Sequence, residues 1–124
     1  MYELSLETHF AAAHHLRDYA GECENLHGHN YNVEVIFAGE ELNDLGMLLD
    51  FRDAKRLVGE AVDRLDHEYL NELEPFDRIN PTTEQIARHL AEAVEQNLPP
   101  GVTIQKVRCW ESERCAASYR PEHE

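Results

Sequence analysis

Residues 23–37 of this chain read CENLHGHNYNVEVIF. From His29 onward, apolar side chains occupy every second position, an alternation that predicts a β-strand with one buried face. Side chains two positions apart in a strand lie on the same face, separated by about 6.6 Å at a rise of about 3.3 Å per residue. His27 and His29 share the parity of the buried face. The sequence therefore predicts that both rings point inward and can bind one metal ion.

An earlier segment, residues 4–14, repeats the alternation and ends with His14 on its apolar parity. If the two segments pair as an antiparallel hairpin, His14 joins His27 and His29 at one end of a sheet. Three histidine ligands with a fourth position left open are typical of a catalytic zinc site. A bulge just before this point would present His15 instead. Each histidine alone is more simply interpreted as a core residue, but three converging on one face favour the metal site.

The length of 124 residues predicts a single domain, residues 1–124, because a chain of this size buries about two thirds of the surface that its unfolded form exposes. No segment approaches the roughly 18 apolar residues of a membrane span, and the first residues lack the pattern of a secretory signal. We therefore expect a soluble cytoplasmic protein without a membrane partner. The three cysteines are an odd number at irregular spacing, which disfavours a disulfide framework.

The charge balance restricts the partners further. The chain has 11 basic and 25 acidic residues and a formal net charge of -14. Proteins bind nucleic-acid backbones through clustered Lys and Arg, so this balance argues against a nucleic-acid partner. The simplest interpretation of the acidity is a well-solvated surface.

Two helices are predicted after the hairpin. Asp50 is placed as the N-cap of the first, and Thr82 with Gln85 forms a capping box for the second. Strand-like segments follow at Val102–Glu111 and Ala116–Arg120. The order ββααββ predicts an α+β fold, a four-stranded antiparallel sheet with two helices on one face. Such a sheet has two exposed edges, and oligomerisation would cover them.

Three further residues suit proton transfer beside a metal. A thiol near a cation loses its proton readily, which makes Cys23 a candidate base. Asp66 and His67 lie where the first helix is predicted to end, and the carboxylate could orient and charge the imidazole. Taken alone, Cys23 is more simply a structural thiol, and the Asp-His pair is more simply a solvated helix end.

Several short motifs follow one another across the chain: Phe10 four residues ahead of His14, Cys23 separated by three residues from His27-Gly28-His29, Leu65-Asp66-His67, Asn80-Pro81-Thr82, and Trp110-Glu111-Ser112. Together they resemble the 6-pyruvoyltetrahydropterin synthase family, specifically its 6-carboxytetrahydropterin synthase branch, over essentially the whole chain. The three-residue gap after the cysteine favours this branch, because members of the pyruvoyl type tend to have a longer gap.

The resemblance implies a role for each matching residue: zinc binding by His14, His27 and His29, proton abstraction by Cys23, a proton relay by Asp66 with His67, and pterin anchoring by Glu111. A carboxylate suits the last task because its two oxygens can accept the amide and amino donors of a pterin ring together. The acidic chain must also accept an anionic triphosphate, and Arg17, Lys106 and Arg108 are candidates for that contact.

The resemblance also implies the tunnelling fold, in which subunit sheets join into barrels and active sites form between subunits, usually in a homohexamer of two stacked trimers. Which subunit supplies each catalytic group is left open. The implied lyase reaction converts 7,8-dihydroneopterin triphosphate to 6-carboxy-5,6,7,8-tetrahydropterin, with release of triphosphate and acetaldehyde, on the way to queuosine. Two alternatives stay open: the sibling synthase, which eliminates triphosphate without carbon-carbon cleavage, and a non-catalytic metal-binding or pterin-binding module.

Overall fold

The computed structural model describes residues 1–17 and 26–122. The elements follow one another as β1 (Tyr2–His14), β2 (His27–Gly39), α1 (Phe51–Asp63), β3 (Glu68–Tyr69), α2 (Thr83–Glu95), β4 (Thr103–Trp110) and β5 (Ala116–Tyr119). The predicted α+β fold, with two helices on a largely antiparallel sheet, is confirmed. None of the helices in the described ranges is long and apolar enough to cross a bilayer.

The sheet has the strand order β3-β1-β2-β4-β5. All neighbours pair antiparallel except β3, which pairs parallel to β1 at Ala12 and Ala13. The predicted count of four strands is therefore one too few. The reason is physical: β3 has two residues, and an alternation of apolar and polar side chains cannot be recognised over so short a stretch.

The core lies between the inward face of the sheet and the two helices. Its largest fully buried side chains include members from the strands and from α2: Tyr31, Phe10, Phe37, Ile104, Ile86 and Leu90. Burial of each such side chain contributes about 1.5–3 kcal/mol. The prediction that alternate side chains of β1 and β2 face the core is therefore correct. The predicted metal-binding histidines lie on these inward faces, at the end of the hairpin next to the core.

Both predicted N-caps are confirmed. The Asp50 side chain accepts a hydrogen bond from the backbone N–H of Arg52 at 2.8 Å, and the Thr82 hydroxyl accepts one from the N–H of Gln85 at 3.2 Å. Helix α1 ends at Asp63, slightly earlier than predicted. The chain then turns toward β1, because the next residues pair with that strand rather than continuing the helix.

Candidate metal centre

The pairing of β1 with β2 brings three histidines together. The register is continuous from Tyr2 opposite Gly39 to His14 opposite His27, so there is no bulge before His14. The alternative in which His15 replaces His14 is therefore wrong. The His15 ring instead pairs with the hydroxyl of Tyr69 through Nδ1 at 2.5 Å.

Four side chains converge at this end of the sheet: His14, His27, His29 and Glu111. One ligand atom from each lies within 4.8 Å of all the others. The Nε2 atoms of His14 and His27 are 3.0 Å apart. One oxygen of Glu111, Oε1, lies 2.8 Å from Nε2 of His29 and 3.5 Å from Nε2 of His14. The cluster thus places three imidazole nitrogens and one carboxylate oxygen close enough together to bind a single metal ion.

The hydrogen bonds of His14 determine which of its nitrogens can bind a metal. Its Nδ1 lies 2.8 Å from the backbone oxygen of Pro81. A carbonyl can only accept, so Nδ1 must carry the proton and donate a hydrogen bond, which leaves Nε2 as the unprotonated nitrogen of the ring. This is the outer contact that orients metal-binding histidines in general. The tautomer of His14 is therefore already the one that a ligand requires.

Burial favours the neutral form of two of these rings. Desolvation lowers the pKa of His14 and also that of His29 below the usual value of 6.5, although the nearby Glu111 carboxylate opposes both shifts. Metal ions bind neutral imidazole, so protons compete little with a metal at neutral pH.

A buried nitrogen in the cluster lacks a hydrogen bond. Nε2 of His29 is close to Glu111 but not in hydrogen-bond geometry with it, and it has no hydrogen-bond partner among the described residues. Unpartnered buried polar atoms are costly and rare. A metal ion would satisfy this atom. Nitrogen donors with one carboxylate suit zinc, whereas magnesium and calcium prefer all-oxygen sites. The residues present therefore fit zinc.

Glu111 is held in place from two sides. It directly follows β4, and its backbone N–H donates to the carbonyl of Cys115 at 3.0 Å. Its second carboxylate oxygen, Oε2, accepts a hydrogen bond from the hydroxyl of the buried Thr83 at 3.2 Å. The carboxylate is thus oriented toward the histidines rather than toward solvent.

The predicted Asp66-His67 pair lies at the neighbouring edge of β1. The Asp66 carboxylate accepts a hydrogen bond from the N–H of Ala11 at 2.9 Å and lies 3.1 Å from Nδ1 of His67. The pKa of Asp66 lies below its usual value, chiefly because of the hydrogen bond from Ala11 and to a smaller extent because of His67. The His67 ring is 83% exposed, and its backbone has a φ of 61°, which is uncommon for a residue other than glycine.

One residue of this pair, His67, lines a cleft that one residue of the metal cluster, His29, also lines. The cleft has a volume of about 480 Å³. The structure therefore brings the predicted metal ligands together with Glu111, and it places His67 of the predicted relay at a cleft shared with His29. Cys23 lies outside the described residues. The guanidinium of Arg17 donates to three backbone carbonyls, which leaves two of its five N–H donors for another acceptor.

Comparison with known proteins agrees with the fold and the cluster. The family described as 6-pyruvoyl tetrahydropterin synthase matches residues 3–122. The chain belongs to this family. The family recognised from the sequence motifs is thereby confirmed.

The relatives include proteins with three different activities in their names. The chain is 40% identical over 102 residues to the 6-carboxy-5,6,7,8-tetrahydropterin synthase of Bacillus subtilis, covering 78% of this chain and 68% of that protein. It is 39% identical over 102 residues to the dihydroneopterin monophosphate aldolase of Pyrococcus furiosus, covering 82% of each. The structure of 6-pyruvoyl tetrahydropterin synthase from Caenorhabditis elegans matches with a TM-score of 0.85 at 25% identity, covering 98% of this chain and 96% of that chain. The prediction that the chain is a pterin-family enzyme is confirmed, but membership does not select the reaction.

The sequence prediction missed the groups that support the cluster. Thr83 contacts Glu111 and the Pro81 carbonyl contacts His14, and the sequence analysis predicts neither contact. The sequence signal that could have indicated these contacts is the Asn80-Pro81-Thr82 motif, which contains Pro81 and is followed directly by Thr83. The closeness of Glu111 to the three histidines was not predicted either, because no spacing rule links residues more than 80 positions apart in the sequence.

Proposed function

We propose that this chain is a zinc-dependent lyase that converts 7,8-dihydroneopterin triphosphate and water to 6-carboxy-5,6,7,8-tetrahydropterin, triphosphate and acetaldehyde. The observation that carries this proposal is the convergence of His14, His27 and His29 on one point beside Glu111, in a chain of the pterin synthase family. The Bacillus subtilis relative, whose name gives the same product, supports the choice of reaction.

His14, His27 and His29 would hold the zinc. Bound zinc would act as a Lewis acid that lowers the pKa of a side-chain hydroxyl of the substrate or polarises its carbonyl. Glu111 would bind the pterin ring by accepting its amide and amino donors, with the Thr83 hydroxyl fixing the direction of one oxygen. Substrate binding would thus draw the carboxylate toward the pterin ring and away from His29.

Cys23, Asp66 and His67 would move the protons. Cys23 would abstract a proton from the side chain of the substrate, and His67, oriented by Asp66, would return one to the ring. The contact of the Asp66 carboxylate with Nδ1 of His67 supports this role, because it leaves the other ring nitrogen, Nε2, free to exchange a proton. The left-handed backbone of His67 supports it further, since such strain is often found at functional sites.

The overall reaction balances without an external oxidant. Loss of triphosphate and proton rearrangement reduce the pterin ring while they oxidise its side chain to adjacent carbonyls. Water then adds at the carbonyl next to the ring, and cleavage of the carbon-carbon bond leaves a carboxylate on the pterin and releases acetaldehyde. A cytoplasmic homohexamer supplying queuosine biosynthesis would be the setting for this activity.

A second candidate is aldol cleavage of dihydroneopterin monophosphate. The observation that favours it is the 39% identity to the Pyrococcus furiosus aldolase, with the same share of both chains covered. That reaction would shorten the side chain and release a phosphorylated two-carbon aldehyde. It shares the metal site and the pterin anchor with the first candidate, so only the products separate the two.

Product analysis tests the proposal. We expect zinc-loaded protein incubated with 7,8-dihydroneopterin triphosphate to yield acetaldehyde, triphosphate and the carboxy product, identified by mass spectrometry. Triphosphate without acetaldehyde would instead identify the pyruvoyl reaction. Cleavage of the monophosphate alone would identify the aldolase, and an unchanged pterin in both assays would leave the non-catalytic module.

A further inference from the structure

Two asparagine side chains hold the chain immediately after His14. The Asn71 amide accepts from the backbone N–H of His15 at 2.9 Å and donates to its carbonyl at 3.0 Å. The Asn80 amide does the same for Arg17, at 2.8 Å and 2.9 Å. Each amide therefore satisfies both backbone groups of one residue, as a neighbouring strand would. The stretch that follows β1 is fixed at alternate residues.

The side chain of Arg17 joins the segments that carry these asparagines. Its guanidinium donates to the carbonyls of Asn71 at 3.2 Å, Phe76 at 2.6 Å and Ile79 at 3.1 Å. Hydrogen bonds from a charged donor are about twice as strong as neutral ones. The connection between α1 and α2 is thus tied to the end of β1 at three points along its length.

Asn80 also lies directly before the residue that orients His14. The carbonyl of Asn80 accepts from the N–H of Thr82 at 2.8 Å, which closes a tight turn centred on Pro81. The proline ring fixes φ within this turn, and Thr82 caps α2 immediately after it. The Pro81 carbonyl is therefore constrained from both sides while it accepts the hydrogen bond from Nδ1–H of His14.

We infer that Asn71 and Asn80 are positioning residues for the zinc ligand His14. They fix the position of the end of β1 relative to the Pro81 carbonyl. Nδ1 of His14 therefore keeps its proton, and Nε2 of His14 faces the other ligands. This inference rests on the zinc-dependent function proposed above. Outer groups that orient a metal-binding histidine change metal affinity by about 10- to 100-fold when they are removed.

The first test measures zinc affinity without substrate, by competition with a chromophoric chelator. We expect Asn80→Ala to weaken zinc binding by about 10- to 100-fold. Asn43→Ala is the matched control, because the Asn43 side chain also accepts from two backbone N–H groups, those of Leu45 at 2.9 Å and Met47 at 3.1 Å, in the loop before α1. Unchanged affinity in Asn80→Ala, or an equal loss in the control, would overturn the inference.

A second measurement separates positioning from a general loss of stability. Nitrogen-15 NMR of the zinc-free protein reports which nitrogen of His14 carries the proton. We expect one Nδ1-protonated form in the wild type and a mixture of tautomers in Asn80→Ala and in Asn80→Asp, a milder change that keeps the acceptor for Arg17. A single unchanged tautomer in both variants would overturn the inference. Zinc bound normally by a wild-type protein that converts no pterin would refute the proposed function and leave this inference standing.

Discussion

At the scale of single residues, Glu111 has two possible roles, binding the metal or binding the pterin ring. One of its oxygens lies 2.8 Å from His29, whereas the other accepts from Thr83. A single carboxylate cannot complete a zinc site and also accept two donors from a pterin ring. In the proposed function it binds the pterin, because three histidines would already form a complete set of protein ligands for a catalytic zinc.

This assignment predicts the behaviour of Glu111→Gln. The change keeps the shape of the side chain but replaces one acceptor oxygen by a donor, so the pterin loses a hydrogen bond to a charged group. Such bonds contribute about 1.5–3 kcal/mol, which corresponds to a rise in KM of roughly 10- to 150-fold. Zinc content measured by atomic absorption should not change. Glu113→Gln, an equal change of charge two residues along, is the control; loss of zinc in Glu111→Gln would assign the carboxylate to the metal.

At the scale of secondary-structure elements, the end of α1 is attached to β1 through one backbone residue. The Asp66 carboxylate accepts from the N–H of Ala11, and the N–H of His67 donates to the carbonyl of Ala11 at 2.6 Å. A side chain thus continues the strand pairing that β3 completes at the next two residues of β1. This attachment places His67 at the cleft that His29 also lines.

The lowered pKa of Asp66 gives this attachment a pH dependence. At a pH between the usual pKa of 3.8 and the lower pKa in the folded protein, Asp66 binds a proton in the unfolded chain but not in the native protein. Asp66 therefore stabilises the native state above pH 3.8, and this contribution is lost as the pH falls through the folded pKa. Asp66→Asn keeps an acceptor for Ala11 but cannot titrate. Urea unfolding of zinc-free protein should show a difference between wild type and variant that shrinks from pH 6 to pH 3, and a constant difference would contradict it.

Local patterns explain why much of the element structure was predictable. Alternation from His29 to Phe37 identifies β2, and the caps at Asp50 and Thr82 depend on side chains two or three positions from their partners. The contacts that complete the site are not local. Asn71 meets its partner 56 positions away, and the Pro81 carbonyl lies 67 positions from His14. Nothing in the spacing of the sequence could pair them before the fold was known.

At the scale of the whole molecule, the two outer edges of the sheet differ in length. Strand β1 pairs with β3 only at Ala12 and Ala13, so from Tyr2 to Phe10 its outer edge has no strand partner within the described residues. Strand β5, of four residues, forms the other edge. A long unpaired edge is a ready template for pairing with another chain. We therefore expect the chain to assemble through this edge, as the proposed hexamer requires.

The net charge of -14 per chain opposes that assembly, and salt should relieve the opposition. Charges farther apart than about 10 Å are screened at 0.1 M salt, and those beyond about 3 Å are screened at 1 M. Backbone hydrogen bonds between strands are far less sensitive to salt. Light scattering on diluted protein should therefore give the mass of six chains at 1 M salt, with more dissociation at 0.1 M. A single-chain mass at 1 M salt would refute assembly through the β1 edge. Dissociation that increases with salt would show that ion pairs, rather than strand pairing, hold the subunits together.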